Sequence, residues 1–225
     1  MSCVCRMSRL VAVSFDDGYL EYVRAARLLS KLEVRATFYI TTHLKSWEGR
    51  PLLAKKPELI AEIAKLGHEI GSHTCTHRDL RRLQPNDLLY ELKNSKIFLE
   101  DVIGREVLGI AYPWGFYNSK VLSAVSKYYG YGRTTEYKLN GNMLLNAPPR
   151  SMYEIGAIAG LALRGGFQRM LVNLLKVKHW HLVLYTHVVQ PIKLVTFIKI
   201  MRNGNVKLVT VSELVNHLVR EYGLN

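Results

Sequence analysis

The stretch VAVSFDDGYL, residues 11–20, predicts both the start of the fold and the start of a site. Its first half, VAVSF, consists of residues favoured in buried strands. The strand then ends on two adjacent carboxylates, Asp16 and Asp17, which repel each other. In a surface loop such a pair would be solvated. If the chain supplies further ligands nearby, a bound dication would instead relieve the repulsion.

Length and composition indicate one soluble globular domain spanning residues 1–225. Apolar residues make up 48% of the chain and the mean hydropathy is near zero, which excludes a disordered chain. The three cysteines, Cys3, Cys5 and Cys75, are too few for a disulfide framework or a structural zinc site.

The net charge of +13 is concentrated in the second half of the chain. Residues 113–225 hold 14 Lys and Arg against 4 Asp and Glu, and no Asp follows Asp101. A basic half is typical of proteins that meet nucleic acid, an anionic membrane face or a phosphorylated substrate, and also of a merely solvated surface. Because no basic-aromatic nucleic-acid motif is present, we expect no nucleic-acid partner.

The N-terminal residues do not resemble an export signal. The apolar stretch after Met1–Arg9 is only Leu10–Val13, too short for a signal-peptide core, so we expect a cytoplasmic protein. Polar residues interrupt the least polar region, Ile155–Leu175, so no transmembrane segment is expected. Peripheral contact with a membrane remains open, and so does the oligomeric state.

Strand-like and helix-like segments alternate along the chain, which predicts an α/β fold with a parallel sheet or barrel. Stretch 137–180 gives no clear pattern. The predicted strands are Leu10–Phe15, Ala36–Thr41, Glu69–Ser72, Val107–Ala111, Tyr131–Thr134, Leu182–Thr186 and Lys207–Thr210. The predicted helices are Leu20–Leu32, Pro57–Leu66, Pro85–Ile103, Ser119–Tyr128, Ile192–Met201 and Val211–Tyr222.

Reactive side chains follow several of these strands, where parallel folds gather functional residues. Asp16 and Asp17 follow the first strand, His73 and His77 the third, and His187 the segment LVLYT. A spacing of four would place His73 and His77 on one face of a helical turn. Two imidazoles and one carboxylate form a three-ligand metal site with open positions. We interpret the other histidines as surface or core residues: His43, His68, His179, His181 and His217.

Four segments in this order, SFDDGY, SHTCTH, AYPWG and LYTH, resemble the motifs of the polysaccharide deacetylase family of carbohydrate esterases. That family includes chitooligosaccharide and peptidoglycan deacetylases. The resemblance implies a distorted (β/α) barrel of about seven parallel strands, with the site at their carboxyl ends. It also implies one divalent metal ion, zinc first, with Co²⁺, Ni²⁺ or Mn²⁺ as alternatives.

The resemblance also implies a role for each matching residue. Asp17, His73 and His77 would be the metal ligands, Asp16 the general base and His187 the general acid. The turn AYPWG would contact substrate and stabilise the oxyanion, with the backbone N–H of the aromatic residue as a donor. Its residues are Tyr112, Pro113, Trp114 and Gly115.

The chain departs from the family pattern at two places. The motif arginine that orients the base is replaced by Ala111, and we expect Arg150 to supply the guanidinium from another loop. The family's late aspartate, which tunes the acidic histidine, has no counterpart beyond residue 101. Glu136 or Glu154 would have to take that place.

These observations predict a metal-dependent deacetylase that removes N-acetyl or O-acetyl groups from an N-acetylated sugar or oligosaccharide by metal-activated water. The basic half would suit a phosphorylated or lipid-linked substrate. One alternative keeps the site but hydrolyses a non-sugar amide or cyclic amide. Another is a non-catalytic protein that binds an anionic glycan or a lipid head group. The presence of a candidate base and acid beside the ligands favours an enzyme.

Overall fold

A sheet of parallel strands forms the centre of the molecule. The computed structural model describes residues 9–135, 149–160, 175–176 and 180–224. Nine strands pair in the order β8-β7-β6-β5-β2-β1-β10-β9, with β11 also paired to β1, and they curl into a nearly closed barrel. Two further strands form a hairpin. The strands are β1 Arg9–Phe15, β2 Thr37–Ile40, β3 Ser46–Trp47, β4 Arg50–Pro51, β5 Glu69–Ser72, β6 Gly109–Ala111, β7 Tyr131–Thr134, β8 Ile155–Gly156, β9 Ile158–Ala159, β10 Trp180–Thr186 and β11 Lys207–Val209.

Helices connect the strands, and local sequence sets many of their ends. They are α1 Tyr22–Lys31, α2 Pro57–Lys65, α3 Pro85–Ile103, α4 Ser119–Val125, α5 Pro191–Asn203 and α6 Val211–Tyr222. Proline, whose missing N–H is no loss in the first turn, begins α2, α3 and α5. Thr210 and Glu213 form a capping box at the start of α6. Gly104, in the left-handed conformation, ends α3.

The alternation of side chains along β1 separates two apolar clusters. Val11, Val13 and Phe15 pack outward against the helices. Leu10 and Ala12 point into the barrel, where they pack with residues of the other strands and with α6. Because side chains alternate along a strand, Asp16 continues the inward series. A carboxylate at this position therefore lies inside the top of the barrel.

The predicted parallel α/β barrel is confirmed. The sheet has nine strands where about seven were expected, because β8 and β9 are two-residue strands in a stretch without a readable pattern. All thirteen predicted elements are present, with ends that agree within two residues except for the helix predicted as Ser119–Tyr128, which ends at Val125. Parts of stretch 137–180 lie outside the described residues. Within the described part, none of the helices has the length and apolar character needed to cross a membrane.

Candidate metal centre and catalytic site

The carboxylates of the opening stretch sit where β1 turns sharply. Asp17 and Gly18 both have left-handed backbones, with φ of 71° and 80°. A Cβ on Gly18 would lie 3.1 Å from Ile40 Cγ2, so the turn needs glycine for space as well as for φ. The Thr41 N–H donates to the Asp17 carbonyl at 3.3 Å. These constraints turn the Asp17 side chain away from that of Asp16.

The two candidate histidine ligands lie on an irregular loop after β5, and the predicted helical turn is wrong. Thr74 and His77 both have positive φ, 67° and 57°. The loop is held by buried Glu91 of α3, which accepts hydrogen bonds at 2.8 Å from the N–H groups of Cys75 and Thr76. The Thr76 hydroxyl also donates to Glu91. A tertiary contact, not helical periodicity, therefore brings the imidazoles together.

The predicted ligands Asp17, His73 and His77 converge into one buried cluster. Asp17 Oδ1 lies 3.3 Å from His73 Nε2 and 3.4 Å from His77 Nε2. One donor atom from each residue falls within 4.8 Å of the others. Two imidazole nitrogens and one carboxylate oxygen in this arrangement could hold a metal ion and match the open three-ligand set of catalytic metal sites.

The hydrogen bond of His73 provides a test of whether a cation fits. His73 Nδ1 lies 2.8 Å from the Ala111 carbonyl, so in the metal-binding form of the ring Nδ1 is the nitrogen that carries the proton. Its Nε2 then carries a lone pair that faces Asp17 Oδ1, a second acceptor. Asp17 Oδ1 is buried and has no hydrogen-bond partner among the described residues. Two facing acceptors repel each other, and a cation between them removes the conflict.

The ionisation of the cluster favours metal binding. Burial by itself raises the pKa of Asp17, but the interaction with His73 and with the other nearby imidazoles outweighs it and lowers that pKa to about 2. Burial, reinforced by His73, lowers the pKa of His77 to about 3. A charged carboxylate and a neutral imidazole are the forms that bind a metal ion.

Asp16 pairs with an arginine that sequence analysis did not identify. Arg133 Nη2 lies 2.5 Å from Asp16 Oδ2, and both side chains are buried. Burial acts to lower the pKa of Arg133, but the charge of Asp16 prevails and raises it. Asp16 Oδ1 is also buried and has no partner in the described part of the chain. Oδ2 is thus held by a fixed cation, while Oδ1 is available to accept a hydrogen bond.

The arginine reaches Asp16 from the strand beside the one where the family motif places it. Arg133 of β7 is the register partner of Ala111 of β6. Arg150, the residue expected to orient Asp16, is itself exposed, whereas Asp16 is buried. The only sequence signal for Arg133 was a charged residue within the short predicted strand Tyr131–Thr134. That signal is weak, because arginines also occur on exposed strand faces.

Aromatic rings and a polar chain hold Arg133 inside the barrel. The ring centroids of Tyr39 and Tyr185 lie 5.1 and 5.2 Å from its Cζ, within cation–π range. The Tyr39 hydroxyl is 3.0 Å from that of Tyr131, which donates to Glu69 at 2.7 Å. This chain leads from the guanidinium toward the opposite end of the barrel, where Glu69 also accepts from the Ser212 N–H.

His187 lies at the rim, across the cluster from the histidine loop. Its Nε2 is 3.8 Å from Asp17 Oδ2, and its side chain is 47% exposed. The Tyr185 ring stands perpendicular to the imidazole at 5.6 Å. Glu154, considered in place of the missing aspartate, instead accepts from Tyr117 and Ser151. Glu136 lies outside the described residues.

The turn Tyr112–Gly115 brings one of its side chains to the cluster. The Trp114 ring lies 5.0 Å from that of His77 and is about half exposed, and its φ is 62°. The ring of Trp47, on the β3–β4 hairpin, also contacts His77, with ring centroids 4.6 Å apart. Pro113 and Gly115 are buried in the turn. Tyr112 packs in the core, with its hydroxyl donating to the Tyr153 carbonyl.

Part of the chain is similar in sequence to known proteins. The chain is 34% identical over 130 residues to a putative polysaccharide deacetylase, YxkH, of Bacillus subtilis (strain 168), covering 57% of this chain and 45% of that protein. It is 28% identical over 123 residues to a chitooligosaccharide deacetylase of Bradyrhizobium sp. (strain ANU 289), covering 53% and 52%. The chain thus spans about half the length of these relatives.

Solved structures show the same fold at low sequence identity. A structure described as T48 deacetylase with substrate superposes with a TM-score of 0.66 at 18% identity, covering 100% of this chain and 96% of that one. A family 4 carbohydrate esterase pseudoenzyme from Bacillus anthracis superposes with a TM-score of 0.66 at 16% identity, covering 92% and 66%.

A match to a protein-family model identifies the family. The polysaccharide deacetylase model matches residues 4–132, more than half of the chain. The matched range contains Asp16, Asp17, His73 and His77 but ends before Arg133 and His187. With the parallel barrel and the converging ligands, the match identifies this chain as a member of the polysaccharide deacetylase family.

Proposed function

We propose that the protein is a metal-dependent hydrolase that removes acetyl groups, N-acetyl first and O-acetyl as the alternative, from an N-acetylated sugar or oligosaccharide. The observation that carries the proposal is the separation of roles between neighbouring carboxylates. Asp17 faces two imidazole nitrogens, whereas Asp16 is turned away from them and held by Arg133. A protein that only binds a ligand has no need for a buried carboxylate with one fixed and one available oxygen.

Asp17, His73 and His77 would hold one divalent ion, zinc first, with Co²⁺, Ni²⁺ or Mn²⁺ as alternatives. When bound, such an ion polarises the acetyl carbonyl and activates a water molecule. Asp16, through its available Oδ1, accepts a proton from the attacking water. Arg133 keeps the Asp16 carboxylate oriented toward the cluster.

His187 and Trp114 complete the proposed site. As the acetyl carbon becomes tetrahedral, charge develops on its oxygen, and the Trp114 backbone N–H is the proposed donor to it. His187, protonated at Nε2, gives its proton to the departing sugar nitrogen so that a neutral amine leaves. Tyr112, Pro113 and Gly115 shape the turn that presents Trp114.

Two observations favour a sugar substrate over another amide. The rings of Trp47 and Trp114 lie 6.1 Å apart and both contact His77, and such rings can pack against the apolar face of a sugar. The relative from Bradyrhizobium is named a chitooligosaccharide deacetylase. The basic residues of the second half suit a phosphorylated or lipid-linked sugar. A non-sugar amide is the second candidate, because the same groups would hydrolyse any acetamide that reaches them.

Metal analysis and acetate release together test the proposal. Purified protein should bind about one divalent ion, and Asp17→Asn or His77→Ala should abolish that binding. Asp16→Asn should keep the ion and lose turnover. Acetate release from chitooligosaccharides, nucleotide sugars and small acetamides would then rank the substrates. Metal-loaded wild-type protein that releases no acetate from this panel would favour the non-catalytic alternative, and retained turnover in Asp16→Asn would remove Asp16 as the base.

A further inference from the structure

The β3–β4 hairpin contacts two sides of the site, and sequence analysis did not identify it. Its strands, Ser46–Trp47 and Arg50–Pro51, are joined by Glu48 and Gly49, both with positive φ, 47° and 73°. Two consecutive left-handed residues form the tight turn that suits the twist of a hairpin. On this short element Trp47 packs against the proposed ligand His77, whereas Arg50 reaches the loop that carries His187.

The hairpin is fixed to the turn that presents Asp17. The Leu20 N–H donates to the Pro51 carbonyl at 2.9 Å, and the Leu53 N–H donates to the Gly18 carbonyl at 2.8 Å. An isolated antiparallel bridge joins Tyr19 to Leu52. These backbone contacts tie the base of Arg50 to the carboxylate side of the site, independently of any side chain.

Arg50 spans from this fixed base to the opposite rim of the site. Its Nη2 donates to the His187 carbonyl at 2.9 Å and to Glu21 Oε1 at 2.7 Å. Its Cζ lies 3.3 Å from the centroid of the buried Tyr19 ring, so the guanidinium stacks on that ring. A planar side chain held by a ring and two acceptors has little remaining freedom.

His187 has few other restraints. The imidazole is 47% exposed, and the residues from His187 to Gln190 lie at the surface or close to it. The neighbouring Thr186 hydroxyl forms a local turn with Val188, but that turn does not connect the loop to the rest of the protein. On either side of His187, the Thr186 carbonyl accepts from the Asp16 N–H at 3.1 Å and Val189 packs against the core. The hydrogen bond from Arg50 adds a side-chain contact to the backbone of His187 itself.

We propose that Arg50 is a positioning residue that holds His187 at the distance needed for proton transfer to the leaving group. The inference rests on the proposed hydrolytic function, because it assigns a purpose to the placement of His187. Misplacing a catalytic group by about 1 Å can cost about 10²-fold in rate. The effect should depend on the leaving group, since an amine must be protonated to leave whereas a nitrophenolate need not be.

Hydrogen exchange of the metal-free protein tests the tether without reference to activity. Losing a hydrogen bond from a charged donor should speed amide exchange across residues 186–190 in Arg50→Ala by about tenfold. Arg50→Lys keeps a charged donor and should recover part of the protection. The matched control is Arg27→Ala, which removes an exposed arginine and its ion pair with Glu62 between α1 and α2. Unchanged exchange at 186–190 in Arg50→Ala would overturn the proposal.

Kinetics with two leaving groups tests the consequence. In Arg50→Ala, kcat for an N-acetylated chitooligosaccharide should fall by about 10- to 100-fold with little change in KM, and Arg50→Lys should restore part of it. Turnover of 4-nitrophenyl acetate should fall by less than about threefold, because its leaving group needs no proton. Equal losses on both substrates would overturn the role of Arg50. Wild-type protein that is inactive on both would contradict the proposed function itself.

Discussion

Arg133 of β7 lies directly opposite Ala111 of β6 in the parallel register, and its guanidinium contacts Asp16. Both residues point into the barrel, where a methyl group at one position leaves room for the long side chain at the other. A cation is thus retained beside the candidate base although the residue at the motif position is alanine. A guanidinium therefore lies beside Asp16, as the motif predicts, but it belongs to residue 133 and not to residue 111.

Removing this cation should impair both stability and turnover. Arg133→Ala leaves Asp16 buried without its partner, which should lower the free energy of unfolding by about 3–5 kcal/mol. Because Asp16 would no longer be held in one orientation, kcat for acetate release should also fall by about 10²-fold, while the metal content stays near one ion. Chemical denaturation and steady-state kinetics measure these effects.

Arg150→Ala is the matched control for that substitution, because Arg150 is an exposed residue. It should change kcat by less than about twofold and the free energy of unfolding by less than about 0.5 kcal/mol. Loss of activity in Arg150→Ala with full activity in Arg133→Ala would reverse the assignment.

Exchanging the two residues tests whether the strands share one space for a guanidinium. The double variant Ala111→Arg with Arg133→Ala should have a kcat at least about tenfold higher than that of Arg133→Ala, because the cation again reaches Asp16. Ala111→Arg alone should be destabilised, since two buried guanidinium groups would compete for one carboxylate. If the double variant is no more active than Arg133→Ala, the two positions do not substitute for each other.

Glu91 should control metal affinity without touching the metal. Glu91→Ala removes the acceptor that holds the Cys75 and Thr76 N–H groups, and so loosens the loop between His73 and His77. Such supporting contacts commonly affect affinity by about 10- to 100-fold. Titration of metal-free protein with Zn²⁺ or Co²⁺ measures the change. Asp101→Asn, an exposed change on the same helix, should bind as wild type does.

His181 should make stability depend on pH. Burial lowers the pKa of this histidine to about 4. In the unfolded chain His181 binds a proton near its ordinary pKa of 6.5, whereas in the folded protein it stays neutral. The contribution of His181 to the free energy of unfolding is therefore complete above pH 6.5. It is lost as the pH falls toward 4, by up to roughly 3 kcal/mol.

Between pH 6.5 and 4, the free energy of unfolding should fall less steeply in His181→Leu than in the wild type. Chemical denaturation at several pH values measures this difference. His43→Gln, which removes an exposed imidazole, serves as the histidine control. Identical slopes for wild type and His181→Leu would show that other groups set the pH dependence.

The elements that local sequence determines were predicted well. Glu69–Ser72, Pro85–Ile103 and Val211–Tyr222 have the predicted ends, because alternation, an initial proline and a capping residue act over a few neighbouring positions. The alternation of strands and helices is typical of a parallel sheet, and the parallel arrangement was predicted on that basis. That arrangement is why Asp17, His73 and His77 could be expected to meet.

The errors concern contacts between residues far apart in the chain. Arg150 was expected beside Asp16 because nothing in the sequence states that β7 lies next to β6 with Arg133 opposite Ala111. The hairpin that carries Arg50 was missed because its strands have only two residues each. Such short strands form through contacts with neighbouring segments and not through their own pattern.

The sequence by itself determined the β1 strand, its carboxylate pair and the types of residue available to bind a metal, because these depend on composition and local order. Only the tertiary structure decided which of the two carboxylates faces the histidines and which faces an arginine. Asp17 faces the histidines because the left-handed turn and the loop held by Glu91 bring them together. Asp16 faces Arg133 because strand register, a property of the whole barrel, places that guanidinium beside it.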